Sequence, residues 1–312
     1  MDGLRDIEIP IGDGVEAVVD WLQDNFEPLL DGIAAAVGFV TDGLDALFLA
    51  IPPLLFVAVV AVIGLVRVGW QFASFAAVSL LLVLGMDLWD ATVSTMALVI
   101  ASSLFALLVG FPIGIAMAKN NVVEAFVRPV LDLMQTMPPF VYLIPAAMFF
   151  GLGKVPGAIA TVIFAMPPAV RLTNLGIRQV SAEHVEAGLA FGCTPRQLLF
   201  KVQLPLAKPS IMAGVNQTIM LALSMVVIAS MIGAGGLGNT VLTGIQRLNI
   251  GLGFEGGLGV VILAIILDRI TQSFGAAGHR KPSFRRRALD AVRGRTSTPG
   301  TVGVPASKGA AE

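Results

Sequence analysis

Seven stretches of this chain are long and apolar enough to be interpreted as membrane spans, and they constrain its fold more than any other feature. A helix needs about 20 mostly apolar residues to cross the hydrocarbon core of a bilayer. Charged residues make up 13% of the chain, whereas soluble domains average about 25%. The sequence therefore predicts an all-α polytopic membrane protein with about seven spans, at residues 51–67, 71–87, 92–118, 130–151, 155–171, 210–233 and 256–274.

The distribution of Lys and Arg predicts how these spans are oriented, because cytoplasmic segments beside membrane spans carry an excess of both. The connections 119–128 and 172–209 carry such residues, and the chain from residue 276 onward has eight Lys and Arg against two acids. Placing these three segments in the cytoplasm also places Arg67 inside. We therefore expect an N-out/C-in topology, with Lys154 as the one residue against the rule.

The N-terminal segment differs from the rest because it is strongly acidic. Residues 1–50 contain eleven acids and one base. Asp42 and Asp45 interrupt its apolar run, and an Asp in the middle of a bilayer costs about 2.5–3.5 kcal/mol on insertion scales. We therefore expect residues 1–50 to form an acidic extracytoplasmic or interfacial segment. A crossing helix, the alternative, would move the N-terminus inside.

The C-terminal segment, residues 276–312, is predicted to be a basic and partly disordered cytoplasmic tail, since it is rich in Gly, Pro and Ser from Thr296. Its charge is interpreted as a topology signal in preference to a nucleic-acid site. The single cysteine, Cys193, and the two distant histidines predict neither an internal disulfide nor a metal site.

One polar stretch interrupts the apolar pattern, EAGLAFGCTPRQLLFKVQLP at residues 186–205. Ser181 stands where a helix N-cap is expected, and Gly192 where a left-handed residue would end that helix. Thr194, Pro195 and Gln197 form the pattern of a capping box with Pro at the first helical position. The pattern predicts a helix–turn–helix that is too short and polar to cross the membrane and that ends at Leu204-Pro205.

The spacing of this stretch resembles the EAA loop of bacterial ABC-importer permeases. Glu186-Ala187-Gly188, three residues, Gly192, nine residues, Val202, one residue and Leu204-Pro205 match that pattern, although the usual form has Ala at position 188 and Ile at 202. The resemblance implies a type I ABC-importer transmembrane domain over residues 51–275, with an EAA coupling loop at 181–209 that docks on a separate ATPase. Glu186 would pair or hydrogen-bond at that joint, and Leu198 and Leu199 would fill a hydrophobic groove. The coupling residues that the resemblance implies are Glu186, Ala187, Gly188, Gly192, Pro195, Leu198, Leu199, Leu204 and Pro205.

Four further stretches, at 131–157, 163–180, 201–238 and 256–272, resemble the permease of glycine betaine/proline betaine uptake systems. This resemblance covers residues 86 to 275. A methionine-type amino-acid permease, which shares the loop, is the alternative within the ABC importers.

The betaine-permease resemblance implies partners and a cellular location. A homodimer of permeases would sit in the bacterial plasma membrane on cytoplasmic ABC ATPase subunits, and an extracytoplasmic binding protein would deliver the substrate. This chain contains no GxxxxGK[ST] phosphate loop. ATP and Mg²⁺ are therefore expected on the partner ATPase, and neither enzymatic activity nor a bound cofactor is expected here. The glycine-rich 233–238 would serve close helix packing or a gate turn.

The translocation pathway has weaker signals. A quaternary ammonium is usually held by aromatic faces, and the single tyrosine, Tyr142, lies in a proline-broken span whose free backbone groups need polar neighbours or a water-filled cavity. Ordinary packing of a kinked helix explains the same residues, and interhelical hydrogen bonding explains the polar residues of the sixth span equally well. The pathway candidates are Gln135, Thr136, Pro138, Phe140, Tyr142, Asn216 and Ser224.

Two other classes of protein require features that differ from those of an ABC permease. An ion-coupled secondary carrier of betaines predicts inverted repeats and acids within the membrane; the sequence shows no clear repeat, and its acids lie near the span ends. An intramembrane enzyme needs paired catalytic groups at depth, and no Ser/His or HExxH constellation is present.

Overall fold

The computed structural model describes residues 11–275, and in this range the chain is helical. The predicted basic tail lies outside the described residues. A 3-10 turn at Pro139–Tyr142 precedes the helix Leu143–Phe150, and a π-helical turn at Leu198–Gln203 joins Pro195–Gln197 to Leu204–Ser230. The helices are α1 Ile11–Leu49, α2 Pro53–Arg67, α3 Trp70–Gly85, α4 Trp89–Lys119, α5 Asn121–Thr136, α6 Leu143–Phe150, α7 Lys154–Arg178, α8 Ala182–Ala190, α9 Pro195–Gln197, α10 Leu204–Ser230, α11 Gly236–Gln246 and α12 Ile250–Gly275.

All seven predicted spans fall on helices, but not every helix has the length of a span. Among the described residues, α1, α4, α7, the continuous Pro195–Ser230 and α12 are long and apolar enough to cross a membrane, which makes five. A sixth would be the pair of α5 and Pro139–Phe150, which is bent by 109°. Helices α2 and α3 are shorter apolar helices of 15 and 16 residues. The polytopic all-α class is confirmed, while seven spans with an N-out/C-in orientation remains a prediction.

Helix α1 is the largest departure from the expected layout. Its 39 residues are kinked at Phe26, two residues before Pro28. Its C-terminal half packs on α4 and α7 and buries Val37, Thr41 and Asp45. Residues 37–45 therefore belong to the helical bundle, which the sequence did not predict.

The centre of the bundle is formed by α4, α7 and α10. Helix α7 runs through this centre with Ala158, Ala165 and Ala169 fully buried. Small side chains let helix backbones approach closely, which is how helices associate where lipid tails are as apolar as Leu. A second layer of α2, α3 and α12 packs around Trp89 of α4.

The bundle has two ends, which differ in structure. At the glycine end, residues 231–238, the Gly153 amide donates to the Ile232 carbonyl at 2.8 Å and joins α7 to α10. At the EAA end, residues 178–203, α7 leads into α8. Each of α4, α7 and α10 runs from one end to the other, so the two are opposite ends of the same bundle.

Candidate functional site

The EAA loop has the local structure that its sequence predicts. Helix α8 ends before Gly192, whose φ is +79°. This left-handed conformation costs a residue with a Cβ about 1–2 kcal/mol. Thr194 Oγ1 then accepts from the Gln197 amide at 3.3 Å, and the Thr194 amide donates to Gln197 Oε1 at 2.9 Å. The turn and the capping box are confirmed.

Two details of the loop differ from prediction. Ser181 occupies the N-cap position of α8, but its hydroxyl contacts His184 Nδ1 at 2.5 Å and makes no capping bond. The second helix does not end at Leu204-Pro205, because the π-helical turn continues into α10. Pro205 lies in the first turn of α10, where a missing N–H is tolerated. The second half of the loop is thus a rigid extension of a long helix.

The loop is packed from inside by residues that were expected to face a partner. Gly188 is buried, and a Cβ there would lie 2.7 Å from Leu198 Cδ1. Leu199 is only 2% exposed and packs with Ile177 and Ala207. Leu199 has no free face with which to fill a groove on another subunit, because it closes the joint between α7 and α10.

The exposed face of the EAA loop carries different apolar side chains. Phe191 is 90% exposed, Phe200 63% and Leu189 54%. Glu186 is exposed on α8 and makes no ion pair with another described residue. Of the other predicted coupling residues, Leu198 and Leu204 are half-buried, and the exposed ones are Ala187, Gly192, Pro195 and Pro205. We call Leu189, Phe191 and Phe200 the loop patch.

The glycine-rich segment at the opposite end forms a packed turn. Gly233, Gly235 and Gly236 all have φ between +68° and +90°. A Cβ on Gly238 would lie 2.3 Å from the Val226 carbonyl oxygen, so α11 touches the backbone of α10. The Leu237 amide donates to Thr95 Oγ1 at 2.8 Å. The close helix packing predicted for this segment is confirmed, and its use as a gate turn stays a prediction.

Next to this turn, Asp45, which interrupts an apolar run, meets Lys154, which departs from the charge rule for topology. Asp45 of α1 forms an ion pair with Lys154 at the start of α7 and accepts a hydrogen bond of 2.7 Å from Ser94. Asp45 is buried, and a buried carboxylate is tolerated only when it is paired. The pair fixes α1 to the core.

The structure separates the predicted pathway residues into two groups. Tyr142 is buried, and its hydroxyl donates to the Met134 carbonyl at 2.5 Å, so it holds the bend between α5 and α6. The Asn216 amide oxygen is buried with no hydrogen-bond partner among the described residues. The others are exposed at the surface of the described chain: Gln135, Thr136, Pro138, Phe140 and Ser224.

Gln135 borders a polar cavity of about 520 Å³ between α5 and α7. Met117 of α4 and Gln217 of α10 also line it, and Met117 and Leu131 belong to an apolar cluster with Val170. Its lining residues are Met117, Glu124, Arg128, Leu131, Asp132, Gln135, Pro168, Arg171, Leu172, Asn174, Leu175 and Gln217.

Ion pairs cross from α5 to α7 at this cavity. Arg171 binds Asp132 at 2.5 Å, and Arg178 binds Glu124 at 2.9 Å. Arg178 also donates to the Asn174 side chain and to the Met117 carbonyl, at 2.9 and 2.8 Å. The α5 helix is therefore held to α7 by charge as well as by packing.

Sequence reasoning missed this cluster, although a signal for it exists. Glu124, Arg128, Asp132 and Gln135 recur every three or four residues on α5, and Arg171, Asn174 and Arg178 do the same on α7. Residues with that spacing share one helix face. Two such polar stripes on neighbouring apolar helices predict that they face each other, whereas Arg128 and Arg178 were interpreted only as topology signals.

The fold and the EAA loop together define a class of protein, the membrane subunit of a binding-protein-dependent ABC importer. Two solved structures of the MetNI methionine ABC transporter in inward-facing conformations have this fold. They superpose with TM-scores of 0.52 and 0.50 at 23% identity, over 66% and 64% of this chain and 95% and 92% of theirs. At that identity the likeness shows the fold alone.

Sequence comparison places the chain within this class. The family described as "binding-protein-dependent transport system inner membrane component" matches residues 110–277. This chain belongs to that family, and it is a multi-pass membrane permease.

Several relatives of the chain are named for the substrates that they transport. The glycine betaine/carnitine permease GbuB of Listeria monocytogenes is 53% identical over 85% of this chain and 95% of its own length. The glycine betaine/proline betaine permease ProW of Escherichia coli is 48% identical over 88% and 78%. The glycine betaine permease OpuAB of Bacillus subtilis is 48% identical over 85% and 94%.

Proposed function

We propose that this chain is the permease subunit of an ATP-driven importer for quaternary-ammonium osmoprotectants such as glycine betaine and proline betaine. The observation that carries the proposal is the 53% identity to a glycine betaine/carnitine permease over 95% of that protein's length. The EAA loop supports the ATP-driven part, because the chain presents a rigid, capped elbow with an unpartnered apolar face. An ion-coupled carrier has no use for such a surface.

In the proposed transporter, two copies of this permease sit on cytoplasmic ABC ATPase subunits, and an extracytoplasmic binding protein delivers substrate. ATP and Mg²⁺ bind the partner ATPase, and this chain supplies no hydrolytic group. Residues 51–275 form most of the transmembrane domain and residues 37–45 of α1 pack against it, with the rest of residues 1–50 on the extracytoplasmic side and 276–312 in the cytoplasm. The exposed pathway candidates, Gln135, Thr136, Pro138, Phe140 and Ser224, then face the route between the two copies. Asn216 stays a candidate because its amide oxygen lacks a partner, and Tyr142 acts from behind by holding the bend.

The EAA loop transmits force to the bundle through its internal contacts. The loop patch and Glu186 meet the ATPase, while Gly188, Leu198 and Leu199 transmit the movement to α7 and α10. Aromatic residues, Phe among them, are enriched at protein interfaces, whose fully buried core is depleted of charged residues. The groove on the ATPase is therefore filled by Phe191 and Phe200 in place of Leu198 and Leu199.

The test is reconstitution of the complete transporter, with its ATPase and binding protein, in proteoliposomes. We expect uphill uptake of labelled glycine betaine that requires ATP, with little uptake of methionine when the same vesicles are offered it. Glu186→Lys is expected to abolish this uptake while the protein stays folded, and Glu186→Gln, which keeps the hydrogen-bonding capacity, to retain part of it. Uphill transport by the purified chain without an ATPase, or normal uptake by Glu186→Lys, would contradict the proposal.

A further inference from the structure

The polar cavity between α5 and α7 has the charges of a binding site for a zwitterion. Its lining contains two acids, Glu124 and Asp132, and two bases, Arg128 and Arg171. Asp132 is paired with Arg171 and Glu124 with Arg178, so Arg128 is the lining charge without an ion-pair partner among the described residues. A molecule that carries a carboxylate and an ammonium group finds a partner for each.

We propose that this cavity is a binding site of the permease itself for its zwitterionic substrate, with Arg128 as the residue that receives the carboxylate. The inference rests on the proposed function, because it takes the substrate to be a betaine. It deepens that function by assigning a contact to residues outside the EAA loop and outside the predicted pathway set.

Arg128 is singled out because the other arginines at the cavity are occupied. Arg171 is paired with Asp132, and Arg178 is held by Glu124, Asn174 and Met117. Arg128 makes no ion pair or hydrogen bond with another described residue, although it lines the cavity. A guanidinium group presents five donors in a planar fork that matches a carboxylate with two parallel hydrogen bonds.

The ammonium end of the substrate has its partner close to Arg128, at Asp132. Asp132 uses Oδ1 to accept from Arg171, which leaves Oδ2 without a partner among the described residues. Asp132 is one helical turn from Arg128 on α5, so both lie on the same helix face. A quaternary ammonium donates no hydrogen bond, and electrostatic attraction to the carboxylate is the contact open to it.

The site is built for passage and not for tight capture. No aromatic side chain is among its lining residues, so the aromatic faces that hold quaternary ammonium groups tightly are missing. Its volume of about 520 Å³ compares with roughly 10–15 Å³ for one water molecule on the same measure, so a betaine fits with part of its hydration shell. A site on a transport route must bind weakly enough to release its ligand.

Direct binding is tested on the permease–ATPase complex in detergent, without the binding protein, by saturation-transfer NMR on the methyl protons of glycine betaine. We expect a signal with the wild type that falls at least about fivefold in Arg128→Gln, since hydrogen bonds to charged groups are among the stronger ones. Arg247→Gln, which removes an exposed arginine at the end of α11, is the matched control and is expected to behave as wild type. Arg128→Lys keeps the charge without the fork and is expected to fall between them.

Ligand analogues separate a zwitterion site from simpler ones. Choline has the same ammonium group without a carboxylate, and acetate has a carboxylate without the ammonium. Both are expected to give much weaker saturation-transfer signals than glycine betaine and to displace bound glycine betaine poorly. The proposal is overturned if choline or acetate competes as well as betaine, or if Arg128→Gln binds betaine like the wild type.

A transport measurement distinguishes failure of this inference from failure of the proposed function. With the complete transporter in proteoliposomes, Arg128→Gln is expected to lower the maximal rate of betaine uptake about tenfold. The concentration of loaded binding protein that gives half-maximal uptake should not change. If the wild type takes up no betaine, the proposed function fails. If wild type and Arg128→Gln take it up equally well, only the cavity assignment fails. If uptake by the variant falls, unchanged thermal melting excludes misfolding as the cause.

Discussion

The two ends of α10 differ in how completely this chain fills its own surfaces. At the glycine end, α10 enters a turn that packs on α4 and α11 at backbone distance, and a nearby buried carboxylate is matched by a lysine. At the EAA end, α10 is extended by a π-helical turn and a capped elbow whose outer face keeps two phenylalanines in solvent. The glycine-rich turn is packed within one chain, whereas the loop patch at the second end is apolar surface that another molecule can cover. Substitutions at the glycine end should therefore change stability, and those at the EAA end should change coupling.

The largest effect is expected from Gly238→Ala. The new Cβ would lie 2.3 Å from the Val226 carbonyl oxygen, and backbone cannot rotate away as a side chain can. We expect a loss of about 3 kcal/mol in folding stability, at the upper end of the range for overpacked cores. The measurement is the thermal melting of the detergent-solubilised protein. Gly257→Ala, at a position with nothing within 4 Å, should melt at or slightly above the wild-type temperature. Equal melting of both variants would show that the close approach is not required.

The second effect concerns the ion pair between α1 and α7. Asp45→Asn or Lys154→Gln should each cost about 2 kcal/mol, less than a fully buried pair because the Lys154 side chain is 38% exposed. The double variant should cost less than the sum of the two, which a double-mutant cycle on the melting data measures. Asp42→Asn, which removes an exposed acid from the same helix, is the control. Strict additivity would mean that the two charges stabilise α1 independently.

A smaller effect, with a different readout, is expected from Phe191→Ala. This side chain is 90% exposed and supports nothing in its own chain, so melting should not change. ATP-driven uptake should fall about tenfold, as expected for an aromatic residue near the centre of an interface. Phe126→Ala, at a side chain of α5 that is 75% exposed, is the matched control for uptake. If Phe191→Ala lowers the melting temperature and leaves uptake intact, the contrast between the two ends is wrong.

The smallest effect is expected at the elbow itself. Gly192 has φ +79° with nothing within 4 Å, so a substitution there strains only the backbone. Gly192→Val should lower uptake about threefold, because a β-branched residue is disfavoured in the left-handed region. Gly192→Asn should stay near wild type, since Asn adopts that region readily. The measurement is the rate of ATP-driven uptake by each variant. An equal loss of uptake in both would point to a steric contact with the ATPase instead of backbone strain.

Local signals carried much of the prediction. Thr194, Pro195 and Gln197 specify a helix start through bonds that span three residues, and the structure contains those bonds. The apolar runs specify helices because a segment inside lipid has no water to bond to, and a helix satisfies every backbone N–H and C=O within the segment. The end of the second loop helix was predicted wrongly, since a proline that stops most helices is accommodated here by a π-helical turn.

Contacts between distant residues were not predictable in the same way. Leu199 and the phenylalanines of the loop patch are all apolar, and only the approach of Ile177 and Ala207 decides which of them is buried. The two polar stripes of α5 and α7 could have been paired from their spacing. Which arginine stays free could not, because it depends on side-chain geometry.

By itself, the sequence determined an all-helical membrane protein with a capped elbow between its spans, because helix length, caps and spacing depend on residues close in the chain. The tertiary structure alone decided that Asp45 meets Lys154 across 109 positions and that Arg128 is left facing a cavity. Those outcomes follow from how the helices pack, and helix packing sets which charges are neutralised inside the chain and which stay available to a ligand.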